Sequence, residues 1–221
     1  MLKKTTPLLL VIFMFSGCSL KMPSFSVSSF IPSFLQFEDK NLVALEEANS
    51  CQEIENLDSK LFCYKKLLDK NNSFAQLRMG TYHADKKDYS QAVKYLNQSY
   101  ENNNIYANLA LAFLYYKGDG VIKNVDKSFE LLKSSSSIDP NAAYQLSRFY
   151  LQGINTKVNN EEGIELIEFA AAEGVLNAQK MLININKEGL FNQPRDQKKV
   201  EHWENKVKEN KKDLTFKIYQ F

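Results

Sequence analysis

The side chains that could carry out chemistry are few and scattered. The chain has two histidines, His83 and His202, and three cysteines, Cys18, Cys51 and Cys63. His83 falls where a packing tyrosine is expected on a helix, and it reads as structural. His202 sits beside Trp203 with Glu201 and Glu204 near it, but no second His or Cys is close enough in sequence to complete a metal ligand set. Ser134 to Ser137 offer four hydroxyls with no base in register, and read as a helix end. Gly118-x-Gly120 follows a helical pattern rather than a strand, so it lacks the context of a phosphate-binding loop. Glu161-Glu162 opens a helix, where carboxylates favour the macrodipole. No nucleophile, base and orienting group can be assembled from these parts. The expectation is a protein that is not an enzyme, with no catalytic residues, no metal, no cofactor and no small-molecule substrate.

Composition agrees with that restraint. The 221 residues are 44% hydrophobic, 12% aromatic and 24% charged, with 28 basic against 26 acidic side chains. This is ordinary globular composition, enough for one domain or two small ones. A net charge of +2 excludes a strongly basic nucleic-acid binder, and no nucleic acid is expected as a partner.

The first residues read as an address. Met1-Leu2-Lys3-Lys4 is a short positive region, and Leu8 to Phe15 is an unbroken apolar run. It is too short to cross a hydrocarbon core of about 30 Å and has the shape of a signal peptide. The run closes on Phe15-Ser16-Gly17-Cys18, which resembles the lipobox of bacterial lipoproteins, with Phe15 standing where that family prefers Leu, Val or Ile. The resemblance implies that residues 1–17 are cleaved and that Cys18 is the lipid attachment site, acylated with palmitate-type chains that anchor the protein to a membrane. Ser19, in place of the aspartate that retains such proteins at the inner membrane, implies the outer membrane and its periplasmic face. The alternative is an ordinary cleaved signal followed by an incidental cysteine. Without Lys3 and Lys4, the basic residues equal the acidic ones.

In that oxidising compartment Cys51 and Cys63 are left as an even pair. Leu42–Cys51 and Leu57–Leu68 read as two short amphipathic helices flanking Glu55-Asn56-Leu57-Asp58. An antiparallel hairpin with that turn can bring the two cysteines within the roughly 4.4–6.8 Å Cα separation of a disulfide; the alternative is two buried free thiols. Residues 38–72 are therefore expected to form an N-terminal helix hairpin. Ahead of it, residues 18–37 are rich in serine, with two prolines and phenylalanines at 25, 30, 34 and 37. Two readings of this stretch are open: a plain tether, or one whose phenylalanines rest on the membrane interface or on the domain.

From Ser73 onward the sequence repeats itself. At a spacing of 35 residues, Ala107, Leu111, Tyr115 and Gly118 align with Ala142, Leu146, Tyr150 and Gly153, and a further unit starts at Ala178 with Leu182 and Gly189 in register. Upstream, Gly80, Ala92, Leu96 and Ser99 have the spacing of a tetratricopeptide unit. Small residues such as Gly80, Ala92, Ala112 and Ser147 allow two helices to cross closely. Apolar residues four apart fill the groove to the next unit. Gly118-Asp119-Gly120 turns the chain, and Asp126 is expected to cap the helix that follows. One hairpin cannot bury both faces, so the units must stack.

At Ala107-x-x-x-Leu111-Ala112-x-x-Tyr115-x-x-Gly118-x-Gly120-Val121 and Ala170-Ala171-x-x-Gly174-x-x-x-Ala178 the sequence resembles the Sel-1-like repeats, a subclass of tetratricopeptide-like solenoids. The likeness covers about residues 73–207. Departures are Ala112 and Asn155 for glycines, Ser134-Ser135 for paired alanines, and a degenerate fourth unit. It implies an all-α, right-handed superhelical solenoid of four to five helix hairpins whose first helices line a concave groove. Mapped on that register, Thr81, Phe113, Tyr116, Tyr144 and Arg148 are the candidate partner-binding residues, a composition suited to a hot spot. Phe113 and Tyr116 could equally pack between units.

Residues 195–213 hold seven basic and five acidic groups and read as a helix that caps the last repeat. In the C-terminal tail, residues 208–221, the stretch Leu214 to Phe221 alternates and has strand character, with a strand added to a partner's sheet as one use for it. The leading expectation is a periplasm-facing outer-membrane lipoprotein whose groove binds envelope proteins, as a scaffold or adaptor in a secretion, pilus, flagellar or polysaccharide-export machine. A secreted or surface-exposed host-interaction protein is the alternative, and an envelope-polymer hydrolase a distant third.

Overall fold

A computed structural model describes residues 33–210 and 214–221. The signal segment, Cys18 and most of the tether lie outside the described residues. The described chain is helical: α1 (Ser33–Gln52), α2 (Leu57–Asp69), α3 (Ser73–Asp85), α4 (Tyr89–Glu101), α5 (Ala107–Lys117), α6 (Val125–Ser135), α7 (Pro140–Gln152), α8 (Asn160–Ala172), α9 (Leu176–Glu188) and α10 (Gln197–Glu209), followed by a 3-10 helix at Leu214–Tyr219. Consecutive helices pair into five hairpins that stack in chain order. α1 begins at Ser33, inside the stretch read as tether. Pro32 is the last proline before Pro140, so nothing in the intervening sequence breaks a helix in that way.

The helix ends are written in short polar side chains. Asn56, Asn72, Asp88, Asn124, Asp139, Asn159 and Asp196 each accept a hydrogen bond from a backbone N–H in the first turn of the helix they open. The cap of α6 is Asn124, whose side-chain Oδ1 accepts from Lys127 N. Asp126, expected in that role, lies two residues too late, inside the first turn, where its charge favours the macrodipole. Gly118 ends α5 at φ 85°, a conformation that costs a side-chain-bearing residue strain, and Gly153 and Gly189 do the same for α7 and α9.

Close helix crossings depend on missing side chains. A Cβ placed on Gly80 of α3 would stand 2.6 Å from Leu96 Cγ of α4, and one on Gly163 of α8 would stand 2.6 Å from Leu151 of α7. The apolar side chains form two adjoining clusters. One runs from Ala48 and Tyr64 through Leu77, Leu96 and Leu111 to Phe149. The other joins Ala143, Leu151, Ile167, Ala171, Leu182 and Ile185. At the N-terminal end Cys51 and Cys63 form a disulfide, with Cα atoms 5.6 Å apart, and pin α1 to α2. At the other end α10 buries only Val200 and turns its charged face outward.

Residues 214–221 are not a strand. They form the 3-10 helix and lie against α3 and α7. The alternation of apolar residues, read as strand character, does not describe the backbone: the residue most deeply buried is Tyr219, which belongs to the other alternate set from Phe216 and Ile218. Among the described residues there is no sheet edge to receive it, and side chains of the solenoid take its carbonyls instead.

Gly80→Ala sets alanine's helical preference of about 1 kcal/mol against an overpacking cost of about 1–3 kcal/mol. The expected outcome in urea unfolding is a net loss of about 1 kcal/mol. Gly80→Val, with two further methyl groups against a buried Leu96, is expected to lose more.

Candidate functional site

The first helices of the repeats, α3, α5 and α7, build the inner face of the stack, and residues 214–221 run back along it. The chain leaves α10 at Asn210, whose side-chain Nδ2 donates to Gly174 O (2.6 Å). Beyond that point the segment's carbonyls are taken up almost one by one. Asn141 Nδ2 of α7 donates to Thr215 O (3.2 Å). Gln52 Nε2, at the end of α1, donates to both Lys217 O (3.0 Å) and Gln220 O (2.9 Å). Arg78 Nε of α3 donates to Ile218 O (3.2 Å), and Thr81 Oγ1, one turn on, donates to Tyr219 O (2.7 Å). Two rings anchor the segment. Tyr219 is buried, with its hydroxyl donating to Asp139 Oδ2 and its ring edge-on to Tyr106. Phe221 lies between Tyr64 and Tyr82, with ring centroids 4.9 and 4.3 Å away.

Two charged groups lie at the bottom of this face. Arg78 is fully buried. Its hydrogen-bond partners among the described residues are all neutral: Ile218 O, Asn49 Oδ1 at 2.6 Å and the Tyr64 hydroxyl at 3.5 Å. A guanidinium removed from water needs such acceptors, because an unpaired buried donor costs about 1–3 kcal/mol and more when charged. Asp139 is 1% exposed. Burial raises its carboxyl above the ordinary value, against the opposing pull of the Tyr219 hydroxyl and the backbone N–H groups of Asn141 and Ala142. Burial first, and then the charge of Asp139, push the Tyr219 phenol well up, so it remains a donor. The Tyr106 phenol is raised for the same two reasons.

Beside the segment the face stays open. A cleft of about 870 Å³ is walled by α3, α5 and the segment, with Tyr82, Tyr89, Phe113, Phe216, Tyr219 and Phe221 in its lining and Asp85, Lys86, Lys117 and Asp119 at its charged positions. Phe113 also lines a smaller pocket of about 50 Å³ with Tyr116, Gln145, Arg148 and Phe149.

The structure therefore divides the five expected groove residues. Phe113, Tyr116 and Arg148 come together and stay exposed, although the Tyr116 ring also meets Phe149 of the next repeat at 5.6 Å. Thr81 faces the groove, but the chain's own Tyr219 carbonyl occupies it. Tyr144 lines neither cleft. It is half-buried against the second apolar cluster, and its neighbour Gln145 takes the place beside Arg148. His83 has its expected structural role, with Nδ1 3.1 Å from Asp88 Oδ2 and its ring stacked on Tyr95. Among the described residues, no three His, Cys, Asp or Glu side chains are placed to hold a metal ion. Sequence reading missed Gln52, Arg78, Asp139 and Asn141. Their one visible signal is that Arg78 and Asn141 occupy register positions where apolar residues would serve.

The pH dependence of the Asp139–Tyr219 contact has a definite sign. A carboxyl with a raised folded-state pKa contributes stability that is fully present below its ordinary value of 3.8. That contribution is lost as the pH rises through the folded-state value. Asp139→Asn keeps both the cap and the acceptor for Tyr219 without the buried charge. Urea unfolding at neutral pH is expected to show stability equal to or above the parent, with a flatter acid limb. Asp139→Ala strands the phenol and removes the cap, and is expected to lose about 1–3 kcal/mol.

The comparisons with known proteins agree with this geometry. The family model for the Sel1 repeat matches residues 73–104, 105–137 and 140–175, the hairpins α3/α4, α5/α6 and α7/α8. A comparison with curated proteins finds no match. Among solved structures, a Sel1 repeat protein from Oxalobacter formigenes superposes with a TM-score of 0.65 at 21% identity, over 78% of this chain and 73% of that one. The protein c5321, described as a protective antigen present in uropathogenic Escherichia coli strains and displaying an SLR fold, superposes with a TM-score of 0.59 at 17% identity, over 84% of this chain. This chain spans 42% of that protein's length. Tandem repeats of this kind are protein–protein interaction scaffolds, generally without catalytic activity. Residues 73–175 therefore carry three Sel1 repeats in register, on a helical solenoid of the same fold as these solved structures.

Proposed function

We propose that this protein is a lipid-anchored adaptor of the bacterial cell envelope, held at the periplasmic face of the outer membrane through Cys18. In this reading a segment of another envelope protein seats in the cleft between α3 and α5, in the service of a secretion, pilus, flagellar or polysaccharide-export machine. The observation that carries the reading is the cleft itself. Its aromatic floor offers large apolar area at low entropic cost, and its flanking charges of both signs can fix the orientation of a partner. Exposed Phe113 stands between this cleft and the pocket of Tyr116 and Arg148, so one partner segment can use both. The anchor rests on Phe15-Ser16-Gly17-Cys18 and on Ser19. Several acyl chains on one cysteine hold a protein stably where a single chain gives marginal binding.

A photo-crosslinking amino acid placed at Phe113 in growing cells tests the cleft, with Lys65 on α2 as an exposed control position. The expected outcome is a short set of envelope proteins joined at 113 and not at 65, and reduced several-fold by Tyr116→Ala with Arg148→Ala. Crosslinks equal at the two positions would remove the cleft from the reading. Cys18→Ala is expected to abolish incorporation of labelled palmitate and to release the protein from the membrane fraction. Retention of both would remove the anchor.

A further inference from the structure

Residues 214–221 are held in the manner of a bound peptide. The carbonyls of Thr215, Lys217, Ile218, Tyr219 and Gln220 accept hydrogen bonds from side-chain donors on three different helices, Gln52 of α1, Arg78 and Thr81 of α3 and Asn141 of α7. Donors aimed at main-chain carbonyls recognise a backbone whatever its side chains, and aromatic pockets then choose the sequence. Here the choice is made at two places: Tyr219 enters between Tyr106 and Asp139, and Phe221 enters between Tyr64 and Tyr82. The outward side chains contribute little. Lys217 meets Glu53 at 3.3 Å with both groups more than half exposed, a contact that water and salt weaken.

We propose that the inner face of this solenoid is a peptide-binding groove and that residues 214–221 are its resident, displaceable occupant. The partner that exchanges with them is a protein segment of the same chemistry: a tyrosine followed two residues later by a phenylalanine, with a further aromatic three residues before the tyrosine, as in Phe216-x-x-Tyr219-x-Phe221. The buried groups explain why an occupant is present at all. Arg78 and Asp139 are set into the floor of the groove, and each takes one of its hydrogen bonds from the segment. The open cleft runs along the segment's flank and is partly lined by it, which gives an incoming chain access to Phe216, Tyr219 and Phe221. A covalently attached occupant acts at an effective concentration of roughly millimolar. The groove is therefore selective, because a partner must exceed that competition before it binds. The proposal deepens the adaptor reading and rests on it for the identity of the cleft.

The test uses the full chain and a fluorescently labelled synthetic peptide with the sequence of residues 213–221, followed by anisotropy. The parent chain is expected to bind weakly, because its own segment competes. Phe221→Ala, which loosens the resident segment and leaves the groove intact, is expected to bind the peptide at least about tenfold more tightly. Adding Thr81→Val and Asn141→Leu should cancel the gain, and a peptide with alanine for its tyrosine and last phenylalanine should not bind. Equal binding by the parent and Phe221→Ala would overturn the proposal. So would loss of cooperative unfolding in both Phe221→Ala and the milder Tyr219→Phe, since the segment would then be an integral element of the fold. Dimers of the parent chain that dissociate on adding the peptide would make a second copy the exchanging partner and overturn the assignment to a different protein. Failure of the peptide to bind while Phe113 still crosslinks partners in cells would remove the exchange and leave the adaptor reading standing.

Discussion

A helix hairpin has two apolar sides and can close only one of them on itself, so every pair in this protein depends on the pair before and after it. That dependence sets where small residues must stand. Gly80 lets α4 settle on α3, and Gly163 lets α8 settle on α7, with leucines filling the space where a Cβ would be. It also sets a difficulty at each end of the stack, where, among the described residues, a hairpin has another on one side alone. The two ends answer it differently. The first hairpin is pinned covalently by Cys51 and Cys63. The last offers a helix that buries little beyond Val200 and presents charge to water.

Stacking explains the outer layers and not the inner face. Along that face Arg78 and Asp139 are both buried, Arg78 within α3 and Asp139 as the cap of α7. Buried polar groups of this kind are tolerated where every hydrogen bond is met. Residues 214–221 meet several of them, through a carbonyl for Arg78 and a phenol for Asp139. The repeat fold by itself carries no particular function. What distinguishes this chain is what has been set into its inner surface and what has been laid over it.

The repeats were legible because a period is a property of neighbours in sequence. Ala107 and Ala142, Leu111 and Leu146, and Gly118 and Gly153 announce themselves at a fixed offset, and their structural partners lie within one or two helices. The disulfide was legible for the same reason, with its cysteines 12 residues apart. Asp126 was placed as a cap because an acidic residue near a helix start looks like one, whereas the geometry favours Asn124 two residues earlier. Tyr144 and Arg148 share a helix, but one turn separates a ring packed in the second cluster from a guanidinium beside Gln145. The inner face was the illegible part. The meaning of Arg78 depends on a carbonyl 140 residues away, and that of Asp139 on a hydroxyl 80 residues away. The alternating pattern of 214–221 suggested a strand and could not say that side chains, rather than another strand, would take its backbone.

The same long reach has a consequence in time. The hairpins form through contacts between residues close in sequence, which cost little loop-closure entropy and assemble early. The bonds from Gln52 to the carbonyls of Lys217 and Gln220 span 165 and 168 residues. They require α1, α3 and α7 to be in place before the segment can dock across them. Docking of the segment is thus the step of longest loop closure in the described chain. Under the exchange proposed above, a segment that reaches the inner face before residues 214–221 dock would meet no competitor, so order of arrival as well as affinity would set what the groove first holds.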